Sequence, residues 1–532
     1  LAMTGTSPDT ASDTATDAAA DSAVGTAAPR RRGRGARRAA RAEKAVTWLP
    51  ELHRGIPYLD ILEPDQLVRI HDASMSLLEE IGIEFRDDES VELWKRAGAS
   101  VEGYRVRIDR EQLMELISTA PAEYTMLARN PERSVTVGGR KTVFTPAYGA
   151  PFVLDLDNRR RHATLDDFDN FAKLAYLEPA MHMTGGVLCE PMDVPVPHRH
   201  LEMTHSLLAH SDKPLMGSVT SRQRAEQPLH MMGIVFGHDV VRDTTVSTSL
   251  ANCNSPLVWD QTMLDAVKGY AASNQAMLFS PFVLGGASTP ASTVGAVAQL
   301  SAEALAGVAF MQLVRPGSPS VYGQWTATVA MSSGAPLAGT PEIDHINLLV
   351  GQLARYYGLP WRCSGGCSSS KLVDAQAGYE SARNMYGVLM AGANFVLSTT
   401  GYLESALCQS YAKAMLDGEQ MRMMYRLGSG VDMDELDPAM DAVREIEPGD
   451  HFLGTKHTLS HFETAFFMPE LMDGDSYEQW HVGGDVDANA RGIEMARRRL
   501  AEYEAPALDD AVLEELTDYK DRLRSEIPEG LT

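Results

Sequence analysis

Between residues 141 and 402 the chain alternates strand-like and helix-like stretches, and few folds accommodate that rhythm. Apolar runs at 142–149, 181–189, 214–220, 244–252, 276–284, 320–327, 361–368 and 393–402 read as eight strands, with segments of helical period between them. Continuous runs, rather than strict alternation, are expected of strands covered on both faces. Thr164 with Asp167 three positions on forms a capping box ahead of an apolar stripe, Phe168, Phe171, Ala172 and Ala175. Thr340-Pro341 opens a helix whose Ile343, Ile346, Val350, Leu353 and Tyr357 share a face, and Gly358 with Pro360 ends it. Gly392 closes the helix that begins near Asp374. Eight such units predict an α/β fold, a (β/α)8 TIM barrel over 141–430. The rival is a doubly wound open sheet, which would usually carry a Gly-x-Gly-x-x-Gly turn after its first strand; none is visible.

The flanks differ in character. Residues 1–45 form a tail too poor in large apolar side chains to offset chain entropy, so disorder is expected, with a basic run at 30–44. That run is read as a solvated arm, with docking to an acidic partner or RNA as the alternative. Residues 46–140 predict a mostly helical N-terminal module: Leu67, Ile70, Met75, Leu78 and Ile81 share a helix face, and 89–97 and 109–118 are further helices. Residues 431–532 predict a C-terminal helical extension containing His451 and His457.

A formal charge of -25 on 532 residues argues against nucleic acid and anionic membranes as partners. The longest apolar stretch, Ala296 to Val314, is interrupted by Gln299, Ser301, Glu303 and Gln312, and reads as a buried helix. Five scattered cysteines point to a reducing compartment, and the absence of a secretory h-region to the cytoplasm. Cys363 and Cys367 have zinc-like spacing without a second ligand pair nearby, so core thiols and no bound metal are expected.

In a barrel the chemistry lies where strands end. Those positions hold Tyr148, Glu190, Thr220, Asn252, Phe282, Gln324, Lys371 and Glu404, with Tyr322, Trp325 and Tyr402 adding rings. Aromatic faces hold quaternary ammonium ions, which have no N–H to donate. Tyr322 and Trp325 cannot both point inward from one regular strand. Tyr148, Phe282, Gln324 and Glu404 are the first candidates for substrate binding; Trp325, Asn252, Lys371 and His457 are the second. The rings would hold the nitrogen, Glu404 would offset its charge, and Gln324 or Lys371 would orient a carboxylate. Lys371 also raises an aldolase-type Schiff base as a rival chemistry. No catalytic residue is identified.

The stretches Gln-Leu-Ala-Arg-Tyr-Tyr-Gly-Leu-Pro (352–360), Ser-Lys-Leu-Val-Asp-Ala-Gln-Ala-Gly-Tyr-Glu (370–380) and Ala-Gly-Ala-Asn-Phe-Val-Leu (391–397) resemble the trimethylamine:corrinoid methyltransferase family. So do Phe452 to Leu459 and the whole span from Trp48 to Asp509. The resemblance implies a TIM barrel that passes a methyl group from an amine to the Co(I) of a separate corrinoid protein. It implies a cognate corrinoid protein and a small cationic substrate as partners, and a homo-oligomer. Founding members carry pyrrolysine; this chain does not, and the corresponding position is placed near Ser368 to Lys371. It therefore resembles the non-pyrrolysine branch, whose members demethylate quaternary amines such as glycine betaine. Trimethylamine or sulfonium substrates, and a non-catalytic betaine-binding barrel, are the alternatives.

Overall fold

The structure, a computed structural model, describes residues 48–530. The expected tail at 1–45 lies outside the described residues. Seven short parallel strands form the centre: β1 (Lys141–Phe144), β2 (Leu215–Met216), β3 (Ser247–Ala251), β4 (Ala276–Phe279), β5 (Ser320–Gly323), β6 (Trp361–Ser364) and β7 (Phe395–Leu397). They pair in the order β2-β3-β4-β5-β6-β7-β1, a curled mixed α/β sheet. Eight helices follow in alternation: α1 (Leu165–Leu177), α2 (Arg199–His210), α3 (Arg222–Phe236), α4 (Gln261–Ala272), α5 (Thr293–Val314), α6 (Pro341–Tyr357), α7 (Ala375–Ala391) and α8 (Tyr411–Gly428).

The strand expected at 181–189 is replaced by an irregular segment. It still hydrogen-bonds to both ends of the seven-strand run. His182 N–H donates to the Phe144 carbonyl at 3.0 Å, Thr184 N–H to Pro214 at 2.9 Å, and Met216 N–H to Gly185 at 2.8 Å. The ladder to β1 is interrupted at His182. Its Nδ1 accepts the Phe144 N–H at 2.8 Å, taking a bond that a strand carbonyl would otherwise take.

Caps behave largely as the sequence predicts. Thr164 and Asp167 form the reciprocal box, and Gly358 and Gly392 adopt left-handed conformations at helix ends. Thr340 occupies the N-cap position of α6, but its hydroxyl faces Thr328 Oγ1 at 3.1 Å instead of capping the helix.

A hairpin, Glu123–Met126 with Val135–Gly138, runs antiparallel into β1. Its Tyr124, Met126, Val135 and Val137 join Val143, Met216, Leu250, Leu278, Val321, Phe395 and Leu397 in one buried cluster. Leu127 and Asn130 bond to residues just ahead of β3 and β2, so this plug covers the N-terminal strand ends. Helix α5 is nearly all buried against the helix Pro64–Ser76; it is long and apolar enough to cross a membrane, but 89% of its apolar window lies inside the fold. The N-terminal segment is less purely helical than expected, because Ile83–Arg86 pairs in parallel with Val258–Asp260.

Candidate active site

With one end plugged, the polar groups gather at the C-terminal strand ends. Loops there build two small sheets. In one, Phe282–Gly285 runs parallel to Trp325–Val329 and puts Phe282 directly opposite Trp325. Cross-strand partners share a face, so their rings stack, with centroids 4.3 Å apart and planes 4° off parallel. Trp325 is buried by this contact and Phe282 remains 45% exposed. In the other, Tyr402–Leu403 pairs with Cys408–Ser410, which runs beside Phe152–Leu154.

Tyr148 is half-buried and packs on the buried cluster shared by the plug and the central strands. The Tyr402 hydroxyl accepts the Tyr148 N–H at 2.7 Å and donates to the Tyr148 carbonyl, fixing that loop. Burial holds both phenols protonated, and Tyr148 also feels the charges of Glu190 and Arg362. Glu190 has its carboxyl raised by burial, against the opposing pull of Arg199 at 3.3 Å. Tyr322 points the other way: its hydroxyl meets Ser301 of α5 at 2.5 Å.

The remaining candidates fall in different settings. Gln324 is buried and turned to the helix layer, donating to Asn347 Oδ1 of α6 at 2.7 Å and accepting from Thr326 at 2.5 Å. Glu404 is held by Arg160 through Nε and Nη2 at 2.7 and 2.9 Å, and that guanidinium covers the Phe152 ring. Asn252 is half-buried at the end of β3, and Lys371 Nζ donates to the Ser369 carbonyl at 2.8 Å. His457 stacks on His461 at 4.5 Å, in the C-terminal segment instead of at a strand end. The Ser368–Lys371 loop is organised by Glu380, which accepts from Ser368 Oγ and Ser369 N–H, each at 2.7 Å.

Sequence reasoning missed Arg362. It is buried on β6 and donates to Ser280 Oγ and the Gln324 carbonyl, both at 2.7 Å. The available signal was a charge in the alternation Trp361-Arg362-Cys363-Ser364 of a central strand. Burial pushes the Cys367 thiol up to about 11 and Cys363 further still. One acidic trio, Asp87, Glu89 and Asp265, has metal-like spacing, but Lys268 Nζ lies within 2.8–2.9 Å of all three.

The chain matches the model of the family described as "Trimethylamine methyltransferase (MTTB)" over residues 30–528. It is 41% identical to a glycine betaine methyltransferase of Desulfitobacterium hafniense, across 86% of this chain and 95% of that one. It is 27% identical to a proline betaine:corrinoid methyltransferase of Eubacterium limosum, across 85% and 95%. It is 26% identical to an L-carnitine:corrinoid methyltransferase of the same organism, across 87% and 96%. The chain belongs to the trimethylamine methyltransferase (MTTB) family.

Proposed function

We propose that this protein transfers a methyl group from a quaternary amine of the betaine type to the Co(I) of a partner corrinoid protein. Full-length likeness to a glycine betaine methyltransferase is the observation that carries this conclusion. We also take the fold as a closed (β/α)8 barrel, with segment 181–187 standing in for the second strand; its hydrogen bonds to β1 and β2 support that.

The reduced corrinoid supplies a nucleophile strong enough to attack carbon in line. The C–N electron pair leaves on a neutral tertiary amine, so no proton has to be delivered. The protein's tasks are to desolvate the cation, orient it and aim one methyl group outward. Tyr148, with the Phe282–Trp325 pair, forms the aromatic side of the site, and Glu190 adds negative field at Tyr148. The stack is closed on its inner side, so the free face of Phe282 is the one left for an onium ion. Glu404 serves indirectly, by fixing Arg160 over Phe152. Lys371 and Asn252 stand at the rim.

A cytoplasmic setting suits five thiols that are all unpaired. A homo-oligomer that leaves the mouth free would cover Val431, Leu453, Phe466 and Val482, which are 75–88% exposed. Light scattering showing a strict monomer would remove the oligomer alone. For the function, purified protein is mixed with glycine betaine and reduced free cobalamin while the Co(I) visible band is followed. Its decay, dependent on protein and betaine, is expected. Binding heat by calorimetry without any decay would make the protein a betaine binder, and borohydride trapping on Lys371 would favour the aldolase chemistry.

A further inference from the structure

Arg362 is a cation buried without an anion. It is 2% exposed. Its three partners, Ser280 Oγ, the Gln324 carbonyl and Ser364 Oγ at 3.2 Å, are all neutral oxygens at the ends of β4, β5 and β6. Other deeply buried cations of this chain have carboxylates: Lys268 with Asp87 at 2.9 Å, Lys413 with Asp417 at 2.6 Å, Arg499 with Glu470 at 2.9 Å. Arg54 and Lys213 instead rest on main-chain carbonyls and aromatic faces away from the strand ends. An unpaired charge in a low-dielectric interior is costly unless something arrives to pair with it.

The unused hydrogens are informative. Nη1 spends both of its N–H groups and Nη2 spends one, while Nε has no partner among the described residues. What remains is the Nε N–H and one N–H of Nη2, the two nitrogens that share one edge of the guanidinium. That is the edge by which Arg160 grips both oxygens of Glu404, at 2.7 and 2.9 Å. Gly323 makes room for this arrangement. A Cβ there would stand 3.0 Å from Arg362 Cβ and 3.3 Å from its Cδ, so a side chain at position 323 would press on the arginine stem where it lies across β5. Burial lowers the Arg362 pKa to about 10, which leaves it charged at neutral pH.

We propose that Arg362 is the floor of the substrate site and receives a carboxylate edge-on through Nε and Nη2. This rests on the methylated-amine function above and narrows it: the substrate is a zwitterion, with its carboxylate a short distance from the quaternary nitrogen. Depth agrees with the chemistry. The anchor is 2% exposed and the nearby ring of Phe282 is 45% exposed, so a betaine held by its acid end presents its methyl groups outward, where a corrinoid must approach. A carboxylate-free onium compound would leave the buried cation unpaired.

Calorimetric titration of the full chain with glycine betaine and with its methyl ester tests this, because the ester keeps the quaternary nitrogen and loses the anion. The ester should bind the parent protein about a hundredfold more weakly. Arg362→Gln should bring betaine down to the level of the ester and leave the ester unchanged. Arg362→Lys, which keeps the charge and loses the fork, should fall between. Equal affinity of the parent protein for betaine and ester overturns the carboxylate site, whether or not the variants fold. Methyl transfer from either compound to free cobalamin would then leave the function standing. If neither compound binds the parent protein, the methylated-amine function fails, and the carboxylate site with it.

Discussion

At the scale of single residues, the site separates groups that are free from groups already engaged. Phe282 keeps an open ring face, and Tyr148 is half-buried and feels the charges of Glu190 and Arg362. Replacing either by Leu keeps apolar volume and removes the ring's negative face. Each change should weaken glycine betaine binding about tenfold, with Phe282→Leu leaving the melting temperature nearly unmoved because the ring is exposed. Parent-like affinity in both variants would place the onium site elsewhere. A second prediction concerns Lys268, which is 4% exposed amid Asp87, Glu89 and Asp265. Lys268→Met strands the buried Asp87 and should cost about 3 kcal/mol in urea unfolding; an unchanged midpoint would show that the trio is solvated well enough without it. The strand-end rings were legible in the sequence because position along a strand fixes them. The engagement of Glu404 was not, because Arg160 lies 244 residues away in sequence. The orientation of Gln324 was hidden for a similar reason: being near a strand end says nothing about which layer its amide faces, and Asn347 of α6 decides that.

At the scale of elements, periodicity and caps identified the helices, while strand lengths were overestimated. Strands such as 214–220 shrink to Leu215–Met216, because an apolar residue beyond the ladder, Val219, is buried in a loop and not in the sheet. The irregular second unit has its own consequence. His182 is fully buried, accepts from Phe144 N–H and donates from Nε2 to the Pro50 carbonyl at 2.8 Å, so it must be neutral. Burial holds His182 at about 3 and His200 at about 4, against 6.5 for a free ring. Between those values the unfolded chain binds protons that the folded chain does not. Stability is therefore full above pH 6.5 and falls as pH drops, each ring costing up to about tenfold in the folding constant per pH unit. His182→Asn keeps an acceptor for Phe144 and cannot titrate. Urea midpoints taken from pH 7 to pH 4 should fall less steeply in that variant, and an identical slope would show that His182 is not among the groups responsible.

At the scale of the whole molecule, the described residues form a single compact unit. The N-terminal segment is tied into it by the Ile83–Arg86 pairing with Val258–Asp260 and by the packing of Pro64–Ser76 on α5, so a boundary at 140 is one of sequence pattern more than of packing. The first 44 residues are another matter. They lack the large apolar side chains from which a core is made, while the remainder already carries a plug, a sheet and a complete helical layer. Removing residues 1–44 should leave cooperative melting and glycine betaine affinity unchanged, as read by calorimetry on the shortened chain. Their formal charge runs opposite to the -25 of the whole protein, through the arginines of the 30–44 run. Such an arm can act at long range on a charged partner without contributing to the fold. Two outcomes are therefore informative. Loss of cooperative unfolding would mean that the segment completes the core, against its composition. Unchanged melting and substrate affinity with slower methyl transfer to the corrinoid protein alone, more so at low ionic strength, would give the basic run a docking role.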